Sequence, residues 1–131
     1  MDDLHISLLS VALAAIILQW LGWRCGKLRM SENILHGDGG HGLLARRMRA
    51  MANFTEYTPI ALLLVLVLDL ARQDGWALAL LSLAFLMGRV LHAIGMDAET
   101  AARPRMVGML LTMPVLVILS VWAVLAGLRV V

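Results

Sequence analysis

Cysteine, aromatic residues and charge are all scarce in this chain. Of its 131 residues, 15% are charged and 5% are aromatic, and the formal net charge is only +2. Lys and Arg cluster at the ends of hydrophobic segments, which indicates topology determinants rather than nucleic-acid binding. The sequence also contains no phosphate-binding loop, dinucleotide fingerprint or serine-nucleophile motif. These absences exclude the common soluble nucleotide-dependent and hydrolytic classes.

The single cysteine, Cys25, excludes an intrachain disulfide. Its neighbours in the run WRCGKLR are cations and include no general base. A nucleophilic thiol needs a base or a built electropositive site, so we interpret Cys25 as a small apolar residue near a helix end.

Hydrophobic residues, by contrast, make up 61% of the chain, whereas soluble domains average about 45–50%. The sequence therefore predicts an integral membrane protein with little room for a soluble domain. The first residues, MDDLHISLL, are acidic and lack a basic region. We expect the first hydrophobic segment to be a retained span rather than a signal peptide.

Four hydrophobic segments cover about residues 4–28, 43–70, 76–96 and 104–128. At about 1.5 Å per residue, each is long enough to cross a hydrocarbon core of about 30 Å. The sequence predicts a single all-α domain over 1–131, a bundle of four transmembrane helices. Pro59 and Pro114 fall inside segments and predict kinks.

Basic residues mark the ends of these segments unevenly. Only Arg72 lies near the second loop. The basic residues near the first and third loops are Arg24, Lys27, Arg29, Arg46, Arg47, Arg49, Arg89, Arg103 and Arg105. The positive-inside rule predicts that loops one and three are cytoplasmic and that both termini lie outside, with Trp20 and Trp23 at an interface.

The most informative stretch is RRMRAMANFTEYTP at 46–59, the polar start of an apolar segment. At about 100° per residue, Arg46, Arg49, Asn53 and Glu56 share one helix face about 80° wide. Such a face is costly in hydrocarbon and should meet protein, water or a ligand. The simpler alternative is a helix end in water that carries an internal Arg–Glu pair.

A second polar group lies at the same predicted membrane level. Arg89 and His92 share a face of the third segment, and Arg105 begins the fourth. Three arginines, a glutamate and an asparagine suit a small zwitterion with more than one carboxylate. His92 alone is also a common packing residue. His36 and His41 lie in a glycine-rich loop, so we do not predict a metal site.

Three motifs resemble the MAPEG family, the membrane-associated proteins of eicosanoid and glutathione metabolism. The run at 46–59 resembles the family signature, GRVLHAIG at 88–95 resembles its third-helix pattern, and RMVGM at 105–109 resembles the fourth-helix start of its bacterial members. The segment count and predicted topology agree over nearly the whole chain. The first motif is long and specific, and the other two support it.

The resemblance implies a homotrimer that binds glutathione, as co-substrate, between subunits near the cytoplasmic face of a bacterial inner membrane. It implies that Arg105 stabilises the glutathione thiolate and acts as the catalytic residue. The positions that match glutathione-binding residues are Arg49, Asn53, Glu56, Tyr57, Arg89, His92 and, more weakly, Arg29. A lipophilic substrate would reach the sulfur from the bilayer.

The function expected from this resemblance is a glutathione-dependent transferase or peroxidase that acts on hydrophobic electrophiles or lipid hydroperoxides. The chain differs from some eukaryotic relatives, because Met96 and Met109 stand where those relatives carry tyrosines and Ala52 precedes Asn53. These differences argue against the eicosanoid activities and leave open whether the protein is a competent transferase. Two alternatives stay open: a non-catalytic protein of the same fold that binds a small anion or a lipid headgroup, and a small transporter. Polar residues confined mostly to one end of the segments argue against the transporter.

Overall fold

The computed structural model describes residues 4–73 and 75–131. The acidic Asp2 and Asp3, and Asp74 in the second loop, lie outside the described residues. Four α-helices account for most of the described chain: α1 is His5–Glu32, α2 is Gly42–Leu70, α3 is Trp76–Gly95 and α4 is Arg103–Gly127. Each is long and apolar enough to cross a membrane. The predicted four-helix, all-α membrane fold is confirmed.

The first helix extends beyond its predicted end at residue 28. Ser31 and Glu32, which lie beyond that predicted end, belong to the last turn of the helix. Asn33 ends the helix in the left-handed conformation, with φ of 54°, and the Ile34 N–H donates to the Arg29 carbonyl over 3.0 Å. The basic residues after Trp23 mark the expected edge of the membrane, and the helix continues past that edge.

The second and third helices form the centre of the bundle. Each of them contacts the three other helices, whereas α1 and α4 do not contact each other within the described ranges. The core between them is aliphatic and aromatic, and includes Leu21, Phe54, Leu78, Phe85 and Leu119.

Polar contacts fasten the bundle at the end that holds loop 2. The Asp69 carboxylate accepts from the Ser7 backbone N–H at 2.9 Å and from its hydroxyl at 2.6 Å. A carboxylate from the end of α2 thus caps the first turn of α1, where the helix has no local side-chain cap. One turn deeper, the hydroxyls of Ser10 and Ser82 lie 2.5 Å apart.

Pro59 and Pro114 both lie inside continuous helices. The kinks predicted at these positions stay predictions.

The third and fourth helices pack backbone against backbone. A Cβ added to Gly108 would lie 2.5 Å from the His92 nitrogen, and a Cβ added to Gly95 would lie 2.2 Å from the Arg105 nitrogen. Real Cβ atoms do not approach this closely, so glycine is required at both positions. Gly108, the first residue of the GMLLTM pattern, is therefore a packing position between α3 and α4.

Candidate functional site

Three predicted members of the polar face of α2, Arg49, Asn53 and Glu56, share that face, and the two charged ones point away from the core of the bundle. Arg49 and Glu56 are exposed, and Asn53 and Tyr57 are half-buried. The residues that directly follow Arg49 and Asn53, which are Ala50 and Phe54, are buried. A guanidinium and a carboxylate are thus displayed on the outer surface of a membrane helix. Because lipid would not solvate them, this surface needs water, a ligand or another polypeptide.

A buried cation lies behind this face. The Arg89 side chain is 2% exposed, and its Nη1 donates to Asn53 Oδ1 while its Nη2 donates to Thr112 Oγ1 over 2.8 Å. The guanidinium carbon lies 5.9 Å from the ring centroids of Tyr57 and Phe85. Arg89 therefore joins α2, α3 and α4.

The Arg89 charge is only partly compensated in the described part of the chain. Its acceptors are the neutral oxygens of Asn53 and Thr112, and its buried Nε has no hydrogen-bond partner. No carboxylate among the described residues pairs with it. A buried cation that lacks a counter-charge is costly, so this location favours an anionic partner.

Thr112 is a residue that the sequence analysis missed. It is 1% exposed and sits one turn after Gly108, whose carbonyl accepts from its hydroxyl over 2.9 Å. A lone threonine in an apolar helix reads as a small, back-bonded residue. The only signal in the sequence was its position one turn after Gly108. That spacing points to α3 only once Gly108 is known to pack against α3.

His92 and Arg105 lie at the contact between α3 and α4. His92 is 6% exposed and packs against Gly108, while Arg105 packs through its backbone against Gly95 and has an exposed side chain. Gly108 follows Arg105 by one helical turn, so Arg105 and His92 are also about one turn apart. The structure thus brings Arg105 to the end of α3 that carries Arg89 and His92.

Arg46, predicted on the polar face, turns instead to loop 3. Its Nε donates to the Asp97 carbonyl over 3.2 Å, and its Nη2 lies 4.0 Å from Glu99. The Asp97 carboxylate also pairs with Arg24 at 2.5 Å and with Arg47 at 3.0 Å. The absence of Arg46 from the face is explained by this acidic loop, which anchors the start of α4 to α1 and α2.

Arg29 lies on a different side of the subunit. Its Nη2 contacts the sulfur of Met48 at 3.2 Å, and its Nη1 is buried without a partner. It lines a cavity of about 540 Å³ between α1 and α2, together with Cys25, Met51 and Thr55. The structure does not bring Arg29 together with Asn53 or Arg89.

The described residues contain no group of three histidine, cysteine, aspartate or glutamate side chains placed to hold a metal ion.

Comparison with known proteins decides the family. The model of the MAPEG family matches residues 7–125. The chain belongs to the MAPEG family. The Inner membrane protein YecN of Escherichia coli strain K12 is 31% identical over 90 residues, which cover 69% of each chain. The YecN of Escherichia coli O6:H1 matches with the same identity and coverage. The predicted resemblance is confirmed, and the chain is a membrane protein of a family associated with glutathione and eicosanoid metabolism.

Proposed function

We propose that this protein is an inner-membrane glutathione-dependent transferase or peroxidase. The observation that carries the proposal is the buried Arg89, which has no counter-charge, behind a face that displays Arg49, Asn53 and Glu56. Glutathione has two carboxylates, one ammonium group and one thiol. The two arginines complement the carboxylates, and Glu56 complements the ammonium group.

We propose a homotrimer, because the site is split between two surfaces of the subunit. The polar face of α2 presents Arg49 and Glu56, whereas Arg29 borders the cavity between α1 and α2. In the proposed assembly, the polar face of one copy packs against the α1–α2 cavity of the next copy. Such a contact joins two different surfaces, and it can repeat around a closed ring of three copies. Such a ring would cover the exposed charges and add Arg29 to a site built on the next subunit.

Arg105 is the proposed catalytic residue. Its exposed guanidinium, at the end of α4 that packs on Gly95, is available to hold the glutathione sulfur as a thiolate. The thiolate is the nucleophilic form, and a nearby cation favours it. His92 and Tyr57 line the same region and position the peptide rather than the sulfur.

In the transferase reaction, the sulfur forms a bond to an electrophilic carbon and the leaving group departs with its electron pair. In the peroxidase reaction, two glutathione molecules supply two electrons and two protons to a hydroperoxide. The products are an alcohol, water and glutathione disulfide. A lipophilic substrate dissolved in the bilayer would enter between the helices and meet the sulfur there. Loops one and three then face the cytoplasm, where glutathione is available.

Turnover of a hydrophobic aryl halide with glutathione, by the purified protein in nanodiscs, tests this function. We expect the conjugate to form and the rate to fall in Arg105→Ala. Tight glutathione binding without turnover of either an aryl halide or a lipid hydroperoxide would make the chain a binding protein. Glutathione flux across liposomes without conjugation would make it a transporter.

A further inference from the structure

A second site lies on a face of α1 that the glutathione proposal does not use. A cavity of about 360 Å³ is lined by three cations, two tryptophans and no acid. Its lining residues are Trp20, Trp23, Arg24, Lys27, Leu28, Ser31 and Arg47. We propose that this cavity, which we call the basic pocket, binds the headgroup of an anionic phospholipid.

The charges of the basic pocket are not fully compensated by the chain. Arg24 and Arg47 share one carboxylate, that of Asp97, which lies outside the lining. Lys27 is exposed and lies 5.2 Å from the ring centroid of Trp23. Three cations against one carboxylate leave a net positive charge, which complements a phosphodiester.

The tryptophans locate the pocket at a membrane interface. Arg24 stacks over Trp20 with its guanidinium carbon 4.7 Å from the ring centroid, and Trp23 is 60% exposed. Indole rings concentrate at the level of lipid headgroups, where one edge is apolar and the other is wet. A phosphate of a membrane lipid is therefore already at the height of the three cations.

A separate apolar groove lies in the crevice between α1 and α3, on the same face of α1 as the basic pocket. A cavity of about 250 Å³ there is lined only by aliphatic and methionine side chains. They are Leu13, Ile17, Leu83, Leu86, Met87, Val90 and Leu91. Ile17 precedes Trp20 by one turn on the same face of α1. On α3, Ala93 follows Leu91, and its carbonyl accepts from Arg24 over 3.3 Å.

The dimensions of the pocket and groove fit one lipid in one leaflet. Leu13 and Arg24 are separated by about 16 Å along the helix at about 1.5 Å per residue, and half the hydrocarbon core is about 15 Å. The headgroup phosphate would lie among Arg24, Lys27 and Arg47, and an acyl chain would lie between Leu13 and Met87. A cationic pocket and an apolar groove on one face of α1 together favour a diacyl lipid over a free phosphate compound.

Native mass spectrometry of the full-length protein, titrated with phosphatidylglycerol or phosphatidylcholine, tests the headgroup assignment. We expect phosphatidylglycerol to bind more tightly, and Lys27→Gln to weaken it about fivefold, the effect of removing one cation near an anionic surface. The matched control is Arg103→Gln, an exposed cation at the same end of the bundle that does not line the pocket. Equal binding of the two lipids, or equal losses in the two variants, would overturn the proposal.

Two further experiments test whether the groove holds an acyl chain and whether the bound phosphate belongs to a lipid. Leu83→Trp fills the groove from a position 47% exposed, and we expect it to weaken phosphatidylglycerol binding. Ile118→Trp, 48% exposed on α4, is its control and should leave binding unchanged. Inorganic phosphate and glycerol phosphate should not displace the lipid at millimolar concentration. Displacement of the lipid by either compound would show a site for a free anion and contradict a lipid site. Wild-type phosphatidylglycerol binding by Leu83→Trp would contradict it as well.

Discussion

Asn53 and Arg89 are hydrogen-bonded through Oδ1 and Nη1, and this contact joins the polar face of α2 to the buried cation of α3. The amide oxygen accepts one hydrogen bond from Arg89, and the NH₂ group of Asn53 can donate to a ligand. Asn53 can then meet a carboxylate or a carbonyl of the ligand. In the proposed complex, the carboxylate of Glu56 pairs with the ammonium group of glutathione.

Removing the hydroxyl that holds Arg89 from the other side should disturb this arrangement. In Thr112→Val the side chain keeps its shape but Nη2 loses its acceptor, which leaves another unsatisfied donor on a buried charge. We expect glutathione to bind about fivefold more weakly, while Thr112→Ser retains the hydroxyl and wild-type affinity. Isothermal titration calorimetry in detergent measures both. Identical affinities for the valine and serine variants would show that Thr112 does not position Arg89.

The charged residues of the polar face should contribute directly to binding. Arg49→Ala and Glu56→Ala each remove an exposed charge matched to the ligand, and each should weaken glutathione binding about tenfold or more, about 1.4 kcal/mol. Arg103→Ala, an exposed cation at the start of α4, is the control and should bind normally. Wild-type affinity in both site variants, on correctly assembled protein, would mean that this face is structural.

The close packing of α3 and α4 makes Gly108 sensitive to a single added carbon. In Gly108→Ala the Cβ would press on backbone atoms of His92 and Gly88, at 2.5 and 2.6 Å. Overpacking of this kind costs roughly 1–3 kcal/mol, so the thermal unfolding temperature in detergent should fall. Gly127→Ala, which has no neighbouring atom within 4 Å, should leave it unchanged. Equal unfolding temperatures for the two variants would contradict the packing.

The four helices and the polar face could be predicted from the sequence because membrane spans and helical faces depend on local pattern. Residues such as Arg49, Asn53 and Glu56 repeat at the helical period, and this spacing alone places them together. The roles of Thr112, Asp97 and Arg46 could not be predicted. Each depends on which helix or loop it meets, and helix pairing is set by glycine contacts that a single sequence does not reveal. The end of α1 at Glu32 was missed because hydropathy marks the edge of the membrane, and the helix continues beyond that edge.

Assembly should follow from the exposed charges of α2. Arg49 and Glu56 are exposed on a helix whose surroundings are apolar, and burial against another copy would remove them from lipid. We expect native mass spectrometry to show a trimer in mild detergent. Monomers that bind glutathione with full affinity would show that one subunit forms the whole site, and would remove the proposed role of Arg29 from a neighbour.

In the proposed function, Arg105 holds bound glutathione as a thiolate. The most direct measurement is a pH titration of thiolate ultraviolet absorbance, with glutathione bound to the wild type, to Arg105→Ala and to Arg103→Ala. A free thiol has a pKa of about 8.5. We expect the wild type and Arg103→Ala to lower the pKa of the bound thiol well below this value, and Arg105→Ala to return it toward 8.5, with each unit of pKa worth about 1.4 kcal/mol. Glutathione affinity should change little in Arg105→Ala, because the carboxylate and ammonium contacts remain. A wild-type protein that binds glutathione but forms no thiolate below about pH 8, or an Arg105→Ala variant with an unchanged thiol pKa, would contradict the account.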